Sequence, residues 1–273
     1  ELQNAGSLSS GTRKSLARKA FAHTAAYDAA IVSWFDDTGH ESGTSNPLPN
    51  SIHLSLERVH DLRYGENPHQ LGARYRYSSS AGWWDEAIQH HGKELSYLNV
   101  FDTEAAWRLA HSIADNPTVA VIKHANPCGL ACHSDIAEAY RRAHACDPIS
   151  AFGGIVAVNR NVPLDLAEEL TQVFTEVIIA PSFDDDAIEK LMEKKNLRII
   201  EASSPGFPLL DFRTIDGGLL VQTSDKVIID RETWTVATER KPTESEWVDL
   251  EFAWQVAARV SSNCIVLAKD EQA

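Results

Sequence analysis

The chain has 273 residues, 43% of them hydrophobic and 23% charged, ordinary globular values with enough length to bury a sizeable core. Its formal net charge of −14 argues against generic nucleic-acid binding, which wants a basic surface. It does not exclude anionic small ligands, which one or two placed Arg or Lys residues can hold.

Residues 1–11 are small and polar and predict a poorly packed start. The chain opens on Glu1 rather than Met, which leaves room for an upstream segment. Residues 12–35 predict a helix, with Thr12 or Ser15 as cap and Leu16, Ala20, Phe21, Tyr27, Ile31 and Phe35 roughly on one face. Residues 36–50 hold Gly, Ser, Asn and Pro without an apolar period and predict a linker or long loop. Ile52–Leu56 alternates and predicts a strand, residues 58–70 a loop around Gly65 and Pro68, and residues 71–77 a second strand. Strands and helices then alternate: a helix over 102–114, a buried strand Val119–Ile122, a helix over 134–145, a strand Gly154–Val158 and a helix over 163–174. A strand Val177–Ile179, a helix over 184–195 and a strand Leu197–Ile200 follow. This order predicts an α/β layered domain over 51–204.

Pro205-Gly206-Phe207-Pro208 breaks the pattern. Residues 217–222 and 225–229 open a second unit over 205–273, which continues with a helix over 243–260, begun by a Thr243/Glu246 capping box, and a strand over 264–268. The chain stops at Ala273, directly after that strand, so this second unit is expected to be incomplete. Four cysteines, Cys128, Cys132, Cys146 and Cys264, without a visible secretory leader or long apolar run, read as reduced thiols in the cytoplasm.

Three clusters carry chemistry. Lys123-His124-Ala125-Asn126-Pro127-Cys128-Gly129 follows the buried strand directly, and ligands in α/β folds bind beyond the carboxyl ends of strands. A Lys beside a His keeps the imidazole neutral and ready to accept a proton, although such a pair by itself also fits surface decoration. In Leu62-Arg63-Tyr64-Gly65-Glu66-Asn67-Pro68-His69-Gln70, Arg63 offers a bidentate fork for phosphate and Tyr64 a ring and a hydroxyl; an ordinary polar turn is the plain alternative. Ser150-Ala151-Phe152-Gly153-Gly154 allows backbone to approach a ligand closely, or simply makes a turn.

His124, Cys128, Cys132 and His133 lie close enough in sequence to raise zinc. Zinc deaminases use H-x-E followed by P-C-x-x-C. Here the spacing from Cys128 is P-C-x-x-x-C, and none of the 11 histidines has Glu two residues on, so no metal is expected.

Together, LRYGENPHQ, GKELSYLNVFDTEAA, IKHANPCG and DPISAFGGIVAVN resemble the formyltransferase half of the bifunctional purine-biosynthesis (PurH) family, AICAR formyltransferase/IMP cyclohydrolase. TRKSLARKAFAHTAAYDAAIVSWF resembles the end of that family's cyclohydrolase domain. The resemblance implies a pair of cytidine-deaminase-like α/β subdomains without zinc, the second truncated here. It implies a homodimer, the substrate AICAR and the co-substrate 10-formyltetrahydrofolate. It also implies His124 as proton acceptor, Lys123 as transition-state stabiliser, and nucleotide contacts from Arg63, Tyr64, Gly153, Glu176 and Asn263. The chain departs from the family pattern at Ser261, where a Lys is usual, and at KDEQ in place of KDGQ; it also lacks the cyclohydrolase core and a later glycine-rich segment. Those absences leave open a non-catalytic nucleotide-binding fragment.

Overall fold

The computed structural model describes residues 1–38, 48–78, 80–113 and 116–273. In chain order the helices and strands are α1 (Leu2–Ala5), α2 (Ser10–Thr38), β1 (Leu56–Leu62), β2 (Gly72–Tyr77), α3 (Trp83–Glu86), β3 (Ile88–His91) and α4 (Tyr97–Ala110). Next come β4 (Thr118–Lys123), β5 (Asn126–Cys132), α5 (Ile136–Cys146), α6 (Pro148–Ala151), β6 (Gly154–Val158) and α7 (Leu164–Leu170). The chain continues with β7 (Thr175–Ala180), α8 (Asp185–Met192), β8 (Arg198–Glu201), β9 (Leu210–Ile215), β10 (Gly218–Thr223) and α9 (Glu244–Ala257). They divide into two compact units. One gathers Glu1–Val59, Tyr75–Ala81 and Pro208–Ser224; the other gathers His60–Arg74, Gly82–Phe207 and Asp225–Ala273.

In the first unit, the start of the chain is almost wholly exposed, as a poorly packed start should be, yet hydrogen bonds tie it to α2. The Glu1 carboxylate accepts the Ser9 amide at 3.0 Å and the Thr12 hydroxyl at 2.9 Å, and the Ser9 hydroxyl accepts the Thr12 amide at 3.1 Å. These bonds satisfy amides that the first turn of α2 leaves free, and the Ser9 amide holds the Glu1 carboxyl below its usual range. The helix expected over 12–35 is present as α2, but its apolar stripe is not covered: Phe21, Tyr27 and Phe35 are all exposed. Most of the expected linker lies outside the described residues, as does the last residue of the helix expected over 102–114.

The expected strand Ile52–Leu56 is displaced. Residues 51–55 are irregular, and β1 begins at Leu56 and takes in 58–62, which were expected as loop. A strand forms where a partner supplies its hydrogen bonds, and β2 pairs with β1 in a two-stranded ribbon. Alternation alone could not choose between the two segments. Likewise β10 is joined by β9, unforeseen, in an antiparallel hairpin. Its two-residue turn is Asp216-Gly217, with Gly217 at φ 74, the Asp-Gly chemistry that such turns favour.

The second unit is an α/β domain built on one six-stranded sheet of order β3-β8-β7-β6-β4-β5. Only β6–β7 and β7–β8 are parallel; β3–β8, β4–β6 and β4–β5 are antiparallel. The period-2 rule sorts β4 cleanly. Val119 and Val121 face a cluster with Tyr140, Leu166, Leu170 and Leu191, from α5, α7 and α8. Ala120 and Ile122 face a second cluster with Trp107 of α4 and Phe252 and Val256 of α9. The result is three layers with the sheet in the middle. Helix α9 starts at the expected capping box: the Thr243 hydroxyl accepts the Glu246 amide at 3.3 Å, and Glu246 accepts the Thr243 amide at 2.8 Å.

The strand expected over 264–268 is absent: that segment is irregular, and Ile265 and Leu267 are 90% and 84% exposed. Residues 271–273 line the outer edge of β5 instead. The Leu130 amide donates to the Ala273 carbonyl at 2.8 Å, and the Ala273 amide to the Leu130 carbonyl at 2.9 Å. All four cysteines are free. No helix among the described residues is long and apolar enough to cross a membrane.

Gly129 of β5 lies hard against α5, where a β-carbon would collide with the Ala143 carbonyl oxygen. Backbone cannot yield as a flexible side chain would. Gly129→Ala is therefore expected to cost about 3 kcal/mol, the upper end of ordinary overpacking, read as a lower urea midpoint at unchanged m-value.

Candidate active site

The apolar run of β4 delivers Lys123 to the end of the sheet, and the chain reverses at once into β5, with Lys123 opposite Asn126. The strand β5 was not expected: Pro127 and Gly129 mask the alternation. Reversal in two residues places His124 at φ 54 and Ala125 at φ 57, the positive φ pair of a type I′ hairpin turn. Asn and Gly favour such a turn; a left-handed residue of another type costs roughly 1–2 kcal/mol. The surroundings hold it there. The Asp102 carboxylate, on α4, accepts the His124 amide at 3.2 Å. The Asn126 side-chain amide donates to the His124 carbonyl at 3.2 Å.

Sequence-separated groups converge on this turn. Lys123 Nζ donates to the Phe152 carbonyl at 2.8 Å. The two glycines after Phe152 have separate causes. Gly153 sits at φ 75, and its amide donates to the Phe174 carbonyl at 2.7 Å. A β-carbon on Gly154 would lie 2.6 Å from the Ile122 carbonyl oxygen. The Asn126 side-chain oxygen accepts the Ser261 amide at 3.5 Å, and the Ser262 hydroxyl donates to the Asn263 side-chain oxygen at 2.7 Å. The segment bearing Asn263 is thereby tied to the turn bearing His124.

At the same sheet end, Glu176 is the second residue of β7. Asn99 Nδ2 donates to its carboxylate at 2.8 Å, and Arg198 Nη1 lies 3.5 Å from the same oxygen. Arg198 is buried and also donates to the carbonyls of Lys93, Glu94 and Glu176. Burial pushes its pKa down while Glu176 opposes the shift; a guanidinium stays charged regardless. The Arg63–Tyr64 loop is closed by Gln70, whose carbonyl accepts the Gly65 amide at 2.8 Å and whose side chain accepts the Asn67 amide at 2.7 Å. The Arg63 amide donates to the Leu95 carbonyl, and the Tyr97 amide to the Tyr64 carbonyl. The exposed Arg63 guanidinium lies 5.3 Å from the Tyr64 ring centre, and no carboxylate among the described residues pairs with it.

Two points of the sequence reasoning change. Strand β4 runs against β6–β8, so its carboxyl end coincides with the amino ends of the parallel strands. The rule of ligands beyond strand carboxyl ends does not place this site. Second, a β-bulge at Cys128 turns β5 over. Cys128 then packs on one face of the sheet and Cys132 on the other, which separates the two thiols by the thickness of the sheet. Burial pushes Cys132 up to about 11. No group of three His, Cys, Asp or Glu residues among the described residues could hold a metal ion. Asn99, Asp102 and Arg198 were not singled out in the sequence; Asn99 and Asp102 stand three apart in SYLNVFDTEAA, the spacing of one helix face.

A separate groove of about 1260 Å³ is lined by Trp234, Trp247, Leu250, Trp254, Val266 and Leu267. Of the charged groups that line it, Arg240 and Glu246 pair at 2.9 Å. It brings together none of the groups described above.

Among protein families, the AICARFT/IMPCHase bienzyme matches residues 1–273. The bifunctional purine biosynthesis protein PurH of Cutibacterium acnes is 46% identical over 262 residues, 94% of this chain and 50% of the relative. Those of Bacillus cereus and Bacillus cytotoxicus are each 44% identical, over 280 and 279 residues, 99% of this chain and 52% of the relative. The chain thus spans about half the length of the curated relatives it matches.

The strained turn makes its own prediction. Ala125→Gly supplies the residue that the second turn position favours, and the relief outweighs the entropy that glycine loses on folding. A gain of about 0.5–1 kcal/mol is expected in a urea titration; a loss would show that Ala125 is not held in the left-handed region.

Proposed function

The chain belongs to the AICARFT/IMPCHase bienzyme family, and we propose that it carries the formyltransferase half of that chemistry. The reaction is formyl transfer from 10-formyltetrahydrofolate to the 5-amino group of AICAR, giving FAICAR in purine (IMP) biosynthesis. One observation carries the reading: the turn Lys123–Asn126 lies at the same sheet end as Gly153, Glu176 and, through Asn126 and Ser261, the segment of Asn263.

The chemistry asks for this set. The AICAR amine is a weak nucleophile, its lone pair conjugated with the ring and carboxamide. It gains strength only if a proton leaves as nitrogen attacks the formyl carbon, and the exposed His124 imidazole is the acceptor in reach of solvent and substrate. Attack places negative charge on the formyl oxygen, for which Lys123 and Asn263 are the donors. Collapse of the adduct breaks the bond from the formyl carbon to N10 of the folate, and that nitrogen takes up a proton. Arg63 anchors the nucleotide phosphate away from the reacting nitrogen, with Tyr64, Gly153 and Glu176 as further nucleotide contacts, and orientation converts that binding energy into rate. None of these steps routes through a metal. In this reading, residues 51–204 form a cytidine-deaminase-like subdomain, 205–273 the start of a second, and 1–50 the end of a cyclohydrolase domain. The working form is a cytoplasmic homodimer.

In the full-length protein, His124→Ala should lower kcat by about 10²–10⁴ with modest change in KM; near-normal turnover would refute the assignment. Arg63→Lys should weaken AICAR binding, because a point charge does not replace a bidentate fork. Calorimetry against the nucleotide and its dephosphorylated nucleoside tests this, and equal affinities for the wild type would remove Arg63 from the phosphate site. Nucleotide binding without any turnover in the full-length protein would favour a purely binding role.

A further inference from the structure

His124 and Ala125 take a backbone conformation that neither residue favours, so some group must enforce it. The ladder fixes the pairing of Lys123 with Asn126, while the His124 amide, inside the turn, takes its acceptor from outside the hairpin. That acceptor is Asp102, one turn into α4. Resting on the reading of His124 as proton acceptor, we propose that Asp102 is a positioning residue for formyl transfer: by accepting the His124 amide it locks the left-handed turn and so fixes where the His124 imidazole stands.

Three observations support it. First, the carboxylate is committed to backbone and not to a side-chain cation: among the described residues no Arg or Lys forms an ion pair with Asp102. Second, its other oxygen, Oδ1, is buried without a hydrogen-bond partner, a cost that an ordinary structural carboxylate would avoid. Strain of this kind persists where the surroundings over-determine it, as they do at functional sites. Third, burial works against the charge that accepts this bond. Burial raises the Asp102 pKa above the usual carboxylate range, and Glu176, facing it from β7, adds to the rise; the His124 amide and side chain, facing it from the turn, pull the other way. The direction fixes the pH dependence. The carboxyl is protonated as pH falls through this raised value, the oxygen becomes a poorer acceptor, and the turn loosens at a pH where an ordinary aspartate would still be charged.

The test compares three variants in the full-length protein. Asp102→Ala removes the acceptor and should lower kcat about 10- to 100-fold, the cost of misplacing a catalytic group by an ångström, with KM for AICAR within about twofold. Asp102→Asn keeps an oxygen acceptor that cannot titrate. It should restore most of the lost turnover and remove the Asp102 contribution from the acid limb of the kcat profile. His124→Ala is the control. Normal turnover in Asp102→Ala beside an inactive His124→Ala would overturn this inference alone, whereas normal turnover in both would overturn the reading on which it rests. Equal losses in Asp102→Ala and Asp102→Asn would also overturn it, since the acceptor would then not be what matters. Should Asp102→Ala fail to fold, nuclear magnetic resonance of the isotope-labelled protein decides. The His124 amide should shift with an apparent pKa raised above that of an ordinary aspartate, and stop doing so in Asp102→Asn; an amide indifferent to pH in the wild type would refute it.

Discussion

A hairpin reversed in two residues, with no glycine to ease it, is the constraint on which the candidate site depends. The ladder sets Lys123 opposite Asn126, and the two residues between them must then adopt positive φ. Neither is a residue that does so cheaply. The strain is met from outside the hairpin by the Asp102 carboxylate beneath the turn, with the Asn126 side chain bonded to the His124 carbonyl. A turn built on Asn-Gly would have needed no such help, but it would have carried no imidazole.

The electrostatics follow from the same geometry. An acidic chain collects cationic groups at one end of one sheet: Lys123 on the Phe152 carbonyl, Arg63 exposed on its loop, and Arg198 buried beneath Glu176. They are not equivalent. Arg198 is consumed by three carbonyls and a carboxylate, so it braces residues 93–94 against β7. Arg63 is exposed, with its guanidinium 5.3 Å from the Tyr64 ring centre and no ion pair to a carboxylate among the described residues.

The sheet topology corrects a common inference. A Lys-His pair after a buried strand suggests a site beyond strand carboxyl ends, as in doubly wound folds. Because β4 runs antiparallel to β6, the pair arrives instead at the amino ends of β6, β7 and β8. Glu176 and Arg198, the first residues of their strands to matter, reach the site for that reason. The Cys128 bulge acts in the same register: one extra residue reverses which face the rest of β5 presents, and it sends the two cysteines of a zinc-like spacing to opposite sides of the sheet.

Much of this was legible in the residues alone. The apolar runs that became β4, β6, β7 and β8, the Thr243/Glu246 cap of α9 and the clusters around Arg63, Lys123 and Gly153 depend on neighbours a few positions away, and local chemistry specifies them. Other features required the folded chain. The start of β1 at Leu56, the unforeseen β5 and β9 and the lack of a strand at 264–268 depend on which segment finds a hydrogen-bonding partner, and alternation along one segment does not encode its partner. The role of Asp102 is the clearest case: in the sequence it is one acidic residue on a helix, 22 positions before His124. Only packing of α4 under the β4–β5 turn brings its carboxylate to the His124 amide.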